Sequence, residues 1–171
     1  MNDADLRGQL ESLHSESFGW ALACCRRDRD DAEEVLQMAY LAVLDGRAQY
    51  HGRSAFRTWL FGVIRLTALS LRHRRWLRRE LLIRNTHRVD ASAEHEALDA
   101  GLIQRDCAAR LQRALEQLSE RQRSLLQLVF YHGLTVDDAA ETLGISVGSA
   151  RTHYARGKAK LAVLLDSERR A

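Results

Sequence analysis

The stretch LTVDDAAETLGISVGSARTHYARGKAKL, residues 134–161, decides the fold of its domain. Thr135, followed three residues later by Asp138, predicts a capping box. In it the hydroxyl accepts a backbone N–H and the carboxylate reaches back to the cap residue's own N–H. Ala139, Ala140 and Leu143 then fall on one face, and the two alanines let a neighbouring helix approach closely. Gly144 stands where the chain must reverse with a positive φ. Ile145 plugs that turn and Ser146 caps a second helix. Along this helix Ala150, Tyr154, Gly157, Leu161 and Leu164 recur at steps of three and four and form an inner face. Lys158 lies outside that face, as do Ser149, Arg151, Thr152, His153, Arg156 and Lys160. Two helices on a glycine turn, the second basic on its outer side, make a helix-turn-helix, whose second helix enters the major groove with its N-terminal residues at base edges. Arginine can donate two hydrogen bonds to one guanine, and serine and threonine adapt to several bases. Later cations suit phosphates. The candidate reading set is therefore Ser146, Ser149, Arg151, Thr152, His153, Arg156 and Lys160. A plain helical hairpin would explain the periodicity, but not the concurrence of caps, turn glycine, buried alanines and basic outer face.

Working outward, Leu111, Ala114, Leu115 and Leu118 mark one upstream helix, and Leu125, Leu128 and Val129 mark the next, ended by His132 and Gly133. Before them lies RNTHRVDASAEHEALDAG, residues 84–101, with low hydrophobicity and no strong period. It reads as a flexible, exposed linker. The expected division is a first domain at 1–84, a linker at 85–104 and a second domain at 105–171. In the first domain Leu6, Leu10, Leu13, Ser17, Trp20 and Cys24 fall at helical steps and predict one amphipathic helix. The charged RRDRDDAEE turns the chain. A second helix over residues 31–44 carries Val35, Leu36, Ala39, Tyr40, Val43 and Leu44. DGRAQYHGRS, residues 45–54, is a loop. Ser54 is the expected cap of a third helix running from about Ala55 to beyond Trp76, with Phe56, Trp59, Leu60, Val63 and Ile64 on its apolar side.

Composition fits. Apolar residues make up 46% of the chain, enough for a core, and no proline occurs. Its absence suits long helices, and no alternating β-branched runs bounded by turns are present. The fold class is all-α: two small helical domains on a linker. The formal net charge of +3 is modest, but its distribution is not. Residues 65–88 hold eight arginines against one acid, Glu80, and residues 89–106 hold five acids against Arg105. A basic block of that density addresses a polyanion.

Several classes are excluded. Cys24, Cys25 and Cys107 show no metal-ligand spacing with histidine, so no metal is expected, and they read as small hydrophobes in a reducing cytoplasm. MNDADLRGQL lacks the basic and apolar regions of a signal peptide. No apolar stretch reaches about 18 residues, so no membrane partner is expected. The seven histidines are scattered. No metalloprotease, nucleophile-elbow or phosphate-loop motif occurs, so neither an enzyme nor a cofactor is expected.

FRTWLFGVIRLTALSLRHRRW, residues 56–76, resembles the promoter-melting segment of extracytoplasmic-function (ECF) sigma factors of the sigma-70 superfamily. DDAEEVLQMAYLAVL, residues 30–44, is similar to the polymerase-binding helix of that family. LEQLSERQRSLLQLVFYHGLTVDDAAETLGISVGSARTHYARGKAKL, residues 115–161, resembles its promoter-reading C-terminal domain. The resemblances fall in the family's order and spacing. They imply a sigma-2 and a sigma-4 domain. They also imply binding to core RNA polymerase and direction of it to the promoters of a stress- or signal-responsive set of genes. Asp31, Glu33, Glu34 and Gln37 would dock the polymerase, although acids also favour a helix N-terminus. The sigma-4 domain would read the upstream (minus thirty-five) element in duplex DNA. The sigma-2 domain would read and melt the downstream (minus ten) element and hold the non-template strand. An anti-sigma factor is a further implied partner.

Opening a duplex means capturing unstacked bases, for which aromatic faces beside arginines are suited. Tyr50 and His51, in a glycine-flanked loop, are the first candidates. Arg57, Trp59, Arg65, Arg72, Arg74 and Arg75 complete the downstream set, though Phe56 and Trp59 at helical spacing also fit a core. The chain departs from the family at Leu66, where asparagine is usual, at Ser70 (aspartate), at Met38 (glutamate) and at Ser119 (proline). The alternative function is a LuxR-type transcriptional regulator, since residues 147–153 are similar to its reading helix. The N-terminal half, however, offers no alternation of strand and helix with an acidic phosphorylation pocket.

Overall fold

The computed structural model describes residues 3–83 and 102–170. Among them every regular element is helical. The chain divides into two compact units, one up to His95 and one from Glu96. The expected linker lies outside the described residues, apart from its last three, which already belong to a helix.

The first unit holds α1 (Asp3–Ser12), α2 (His14–Cys24), α3 (Arg29–Leu44) and α4 (Phe56–Ile83). The single first helix expected from the spacing is broken at Leu13. The i to i−4 hydrogen bonds continue through it, from Leu13 to Gln9 and from Ser17 to Leu13, so the break is a local change of direction. The core lies between α2, α3 and α4. Trp20, only 1% exposed, stacks on Phe61 and donates its indole N–H to the Phe61 carbonyl at 3.0 Å. Val35, Leu36, Ala39, Leu60 and Ile64 close around them. Asp28 caps α3 by accepting the Asp31 N–H at 2.9 Å, so the helix starts two residues earlier than its apolar stripe predicts. Before α3, Arg26 and Arg27 both adopt left-handed backbone, φ +56° and +67°, a conformation that costs a side-chain-bearing residue about 1–2 kcal/mol. Ser54 does not cap α4. The first helical N–H, from Trp59, goes to the Ala55 carbonyl, while the Ser54 carbonyl accepts the Tyr50 hydroxyl.

The second unit holds α5 (Leu102–Glu116), α6 (Glu120–Leu126), a π-helical turn (Gln127–Tyr131), α7 (Val136–Leu143) and α8 (Val147–Arg170). Ser119, the departure from the family's proline, makes a full capping box with Gln122 at the start of α6. The Thr135–Asp138 box is only half formed. Asp138 N–H donates to Thr135 Oγ1 at 3.0 Å, but the carboxylate accepts the threonine hydroxyl at 2.6 Å and so is turned away from the cap's own N–H. Gly144 takes φ +62°. Its N–H reaches the Glu141 carbonyl and the Ile145 N–H reaches that of Ala140, the paired closure of a left-handed helix end. Gly157 marks a close approach of two helices. A Cβ there would lie 3.2 Å from the Gln122 Cβ, so α8 packs on α6 at a distance that only glycine allows without adjustment.

Candidate nucleic-acid interface

The helix-turn-helix presents its second helix as the spacing requires. Ala150 and Gly157 are buried, Tyr154 and Leu161 half-buried, and Arg151, Thr152 and Arg156 exposed. Ser146 caps α8 by accepting the Ser149 N–H at 3.2 Å, which orients the helix and leaves Ser149 half-buried just inside its first turn. Thr152 donates its hydroxyl to the Gly148 carbonyl at 3.0 Å and so offers DNA a lone pair rather than a proton. Arg151 meets Asp137 of α7 at 3.3 Å, with both side chains largely in solvent. Such a pair contributes about 0–1 kcal/mol, less than the roughly 1–3 kcal/mol of a bidentate guanine contact, so it orients Arg151 without withholding it. His153 is half-buried on the flank. Lys160 differs from expectation. Its ammonium donates to the Gln117 carbonyl at 2.6 Å, just past the end of α5. It stands thirteen residues into α8, about 20 Å along the axis from its N-terminal end.

On α4 the expected residues divide in two. At its start Tyr50, Phe56 and Trp59 form one aromatic cluster, each pair of ring centroids 5.3 Å apart. Tyr50 is half-buried and its hydroxyl is bonded to the Ser54 carbonyl at 2.5 Å, so it is not the free loop aromatic that its flanking glycines predict. Phe56 is core and Trp59 is half-buried, while His51 is exposed. Arg57 pairs with Glu16 of α2 at 3.1 Å. Farther along, Arg65 is half-buried and Arg72 exposed on one side of the helix. Arg74 and Arg75 face α3: Arg74 approaches the Met38 sulfur at 3.3 Å.

Arg75 was missed as a structural residue. One guanidinium nitrogen bonds Asp31 and the other bonds Glu34 at 2.6 Å. The Asp31 hydrogen bond is the first of the causes that hold its pKa above the ordinary arginine value. Two acids of the expected polymerase-docking set are therefore joined to a cation of the expected DNA-facing set, leaving Glu33 paired with Arg29 at 3.1 Å and Gln37 exposed. Sequence separations of 41 and 44 residues carry no local signal, which is why the link was not legible. Beside it, burial and then the charges of Asp31 and Asp28 push the Cys25 thiol up to about 11. A thiol so raised holds little thiolate near neutral pH and is a weak nucleophile, in keeping with a small-hydrophobe role. The departures from the family's pattern also find places: Leu66 is 60% exposed and Ser70 exposed on α4, and Met38 is half-buried against Arg74.

Comparison with known proteins matches both units to one family. Residues 10–79 match sigma-70 region 2 and residues 108–161 match sigma-70 region 4. The ECF RNA polymerase sigma factor SigF of Caulobacter vibrioides is 33% identical over 132 residues, 77% of this chain and 69% of that protein. The RNA polymerase sigma factor CarQ of Myxococcus xanthus is 32% identical over 163 residues, 91% of this chain and 87% of that protein. Among solved structures, the sigma factor RpoE in complex with the anti-sigma factor NepR from Bartonella quintana has a TM-score of 0.73 at 23% identity, covering 95% of this chain and 97% of that one. No helix among the described residues is long and apolar enough to cross a membrane. With both sigma regions matched in order and relatives above 30% identity matched over most of their length, the chain belongs to the ECF sigma factors of the sigma-70 family, the subunits that direct core RNA polymerase to promoters.

Proposed function

We propose that this sigma factor divides its work as follows. Residues 1–84 act as the sigma-2 domain, in which Asp31, Glu33, Glu34 and Gln37 dock core polymerase, while Arg65, Arg72 and the start of α4 engage the downstream element. Residues 105–171 act as the sigma-4 domain, in which Ser149, Arg151, Thr152 and Arg156 read the upstream element. The supporting observation is the asymmetry of α8: one side buries Ala150 and Gly157, and the other presents a hydroxyl and two guanidinium groups on its first turns. The protein acts in the cytoplasm, by binding rather than by catalysis. Since a sigma factor of related fold was solved with an anti-sigma factor, a protein partner of that kind is proposed here too.

A LuxR-type regulator would need only the second unit. The acidic face on α3 and the cationic α4 favour the sigma reading. The residue assignment is tested in a reconstituted holoenzyme. Ser149→Ala and Arg151→Ala should each weaken binding to an upstream-element duplex about ten-fold while co-purification with core polymerase is unchanged. Unchanged duplex binding by both variants would refute the reading face.

A further inference from the structure

The distal part of α4 has two sides. Leu71 is its last buried residue among those whose burial is described. Beyond it, Arg75 turns to the acids of α3 and Arg74 to Met38. The opposite side carries Trp76, 55% exposed, with the His73 ring stacked one turn back at 6.1 Å and 20°. Residues 65, 69, 72 and 76 recur at steps of four, three and four, so Arg65, Leu69, Arg72 and Trp76 form one line along the helix. Leu66 and Leu77, both exposed, flank it. A tryptophan on an exposed helix face, away from any core, loses packing that a smaller polar residue would not forfeit. The aromatic cluster at the start of α4, in contrast, is packed into itself and has little open face.

We propose that Trp76 is a stacking platform for an unpaired DNA base, with His73 backing the indole and Arg72 beside it for the adjoining phosphate. The inference rests on the proposal that α4 faces opened promoter DNA. Charge carries the choice of ligand. Arg72, Arg74, Arg75 and Arg78 surround the indole in sequence, and no acid intervenes before Glu80. An acceptor-rich backbone strand with exposed π-faces is the complement of that pattern, since stacking on an aromatic tolerates any base and nearby cations hold the backbone. Continuity carries the placement. Trp76 lies four residues after Arg72, about 6 Å along the axis, so the indole and the guanidinium can meet the same stretch of strand. It would add a stacking face at the distal end of the line of cations identified from the sequence.

The test uses the full chain. Trp76→Ala, Trp76→Phe and wild type are titrated into a fluorescein-labelled dT12 single strand and into a random-sequence duplex of the same length, at fixed low salt, and each variant is assembled with core polymerase. The expected result is a loss of about ten-fold or more for Trp76→Ala on dT12, largely restored in Trp76→Phe, with duplex affinity changed less than two-fold. Equal binding of dT12 by Trp76→Ala and wild type would overturn the stacking role. So would an equal loss on both DNA forms, which marks a phosphate-steering or structural effect. So would unchanged DNA binding with weakened assembly, which marks a protein-docking face. Wild type failing to prefer dT12 over background would instead remove the underlying reading of α4 as well.

Discussion

The two cationic surfaces of this sigma factor are held in different ways. Helix α8, the proposed reading helix, is set by neighbours in sequence. Ser146 caps it, Gly144 turns the chain into it, and the Thr135 cap fixes the helix before it. The α4 surface is set across the first unit, by Arg57 to Glu16, Arg75 to Asp31 and Glu34, and Trp20 to the Phe61 carbonyl. A locally built surface keeps its geometry when a distant partner changes. A surface built from long-range pairs responds to whatever competes for those pairs. If Asp31 and Glu34 dock the polymerase as proposed, whatever engages them competes with Arg75, and the cation released is Arg75. Docking and the charge offered to DNA would then be linked, each favouring the other.

The largest effect that separates the two regions should come from Trp20→Ala. Removing a fully buried indole costs about 3–5 kcal/mol. Hydrogen exchange read by mass spectrometry should show lost protection across peptides from residues 14–83, with peptides from 136–161 retaining theirs. Equal loss in both would dissolve the distinction.

Next in size is the chemistry of Cys25. A pKa of about 11 against the ordinary 9.0 leaves about a hundredfold less thiolate at pH 8. Site-resolved alkylation by iodoacetamide should slow by that factor relative to the urea-unfolded chain. Because the folded pKa is the higher one, this group's contribution to stability is full below about pH 9 and fades as pH rises towards 11. Asp31→Asn should speed the alkylation, since Asp31 is one of the charges that raise the thiol. No change in rate would place Asp31 outside the long-range cluster.

Gly144→Ala should cost about 1–2 kcal/mol, from forcing an alanine to positive φ, and the loss of protection should be confined to residues 136–161. The smallest effect belongs to Arg75→Ala. Its pairs are partly in solvent, so a double-mutant cycle with Glu34→Ala should give a coupling of about 0.5–1 kcal/mol that shrinks with added salt. A salt-independent coupling would mean the pair is more deeply fixed than its exposure indicates.

The same division explains what the sequence made legible. The helix-turn-helix could be read because caps, turn glycine and small inner residues act within four positions of one another. Gly144, Ala139, Ala140, Ala150 and Ser146 all stand as the pattern requires. The carboxylate of Asp138 did not, since a side chain can choose between two nearby donors that spacing cannot rank. On α4 the helix and its apolar side were legible, yet the places of Arg57 and Arg75 were not, because each depends on a partner that only the packed unit brings near, while Tyr50 is held by the nearby Ser54 carbonyl and by Phe56 and Trp59, a loop closure that spacing does not encode. The bond of Lys160 was not legible for the same reason as the arginine pairs: its partner, the Gln117 carbonyl, lies 43 residues away in sequence. Trp76 carried a signal that could have been used, the line it makes with Arg65 and Arg72.

The central claim is that this chain by itself confers promoter choice on core RNA polymerase. The direct measurement is transcription in vitro from genomic DNA fragments of the source organism with purified core enzyme, with and without the protein, mapping every 5′ end. The account predicts a defined set of start sites that appears only when the protein is added and shares sequence elements upstream and downstream of a common spacing. Start sites that appear only when a second sigma factor is also supplied would contradict it.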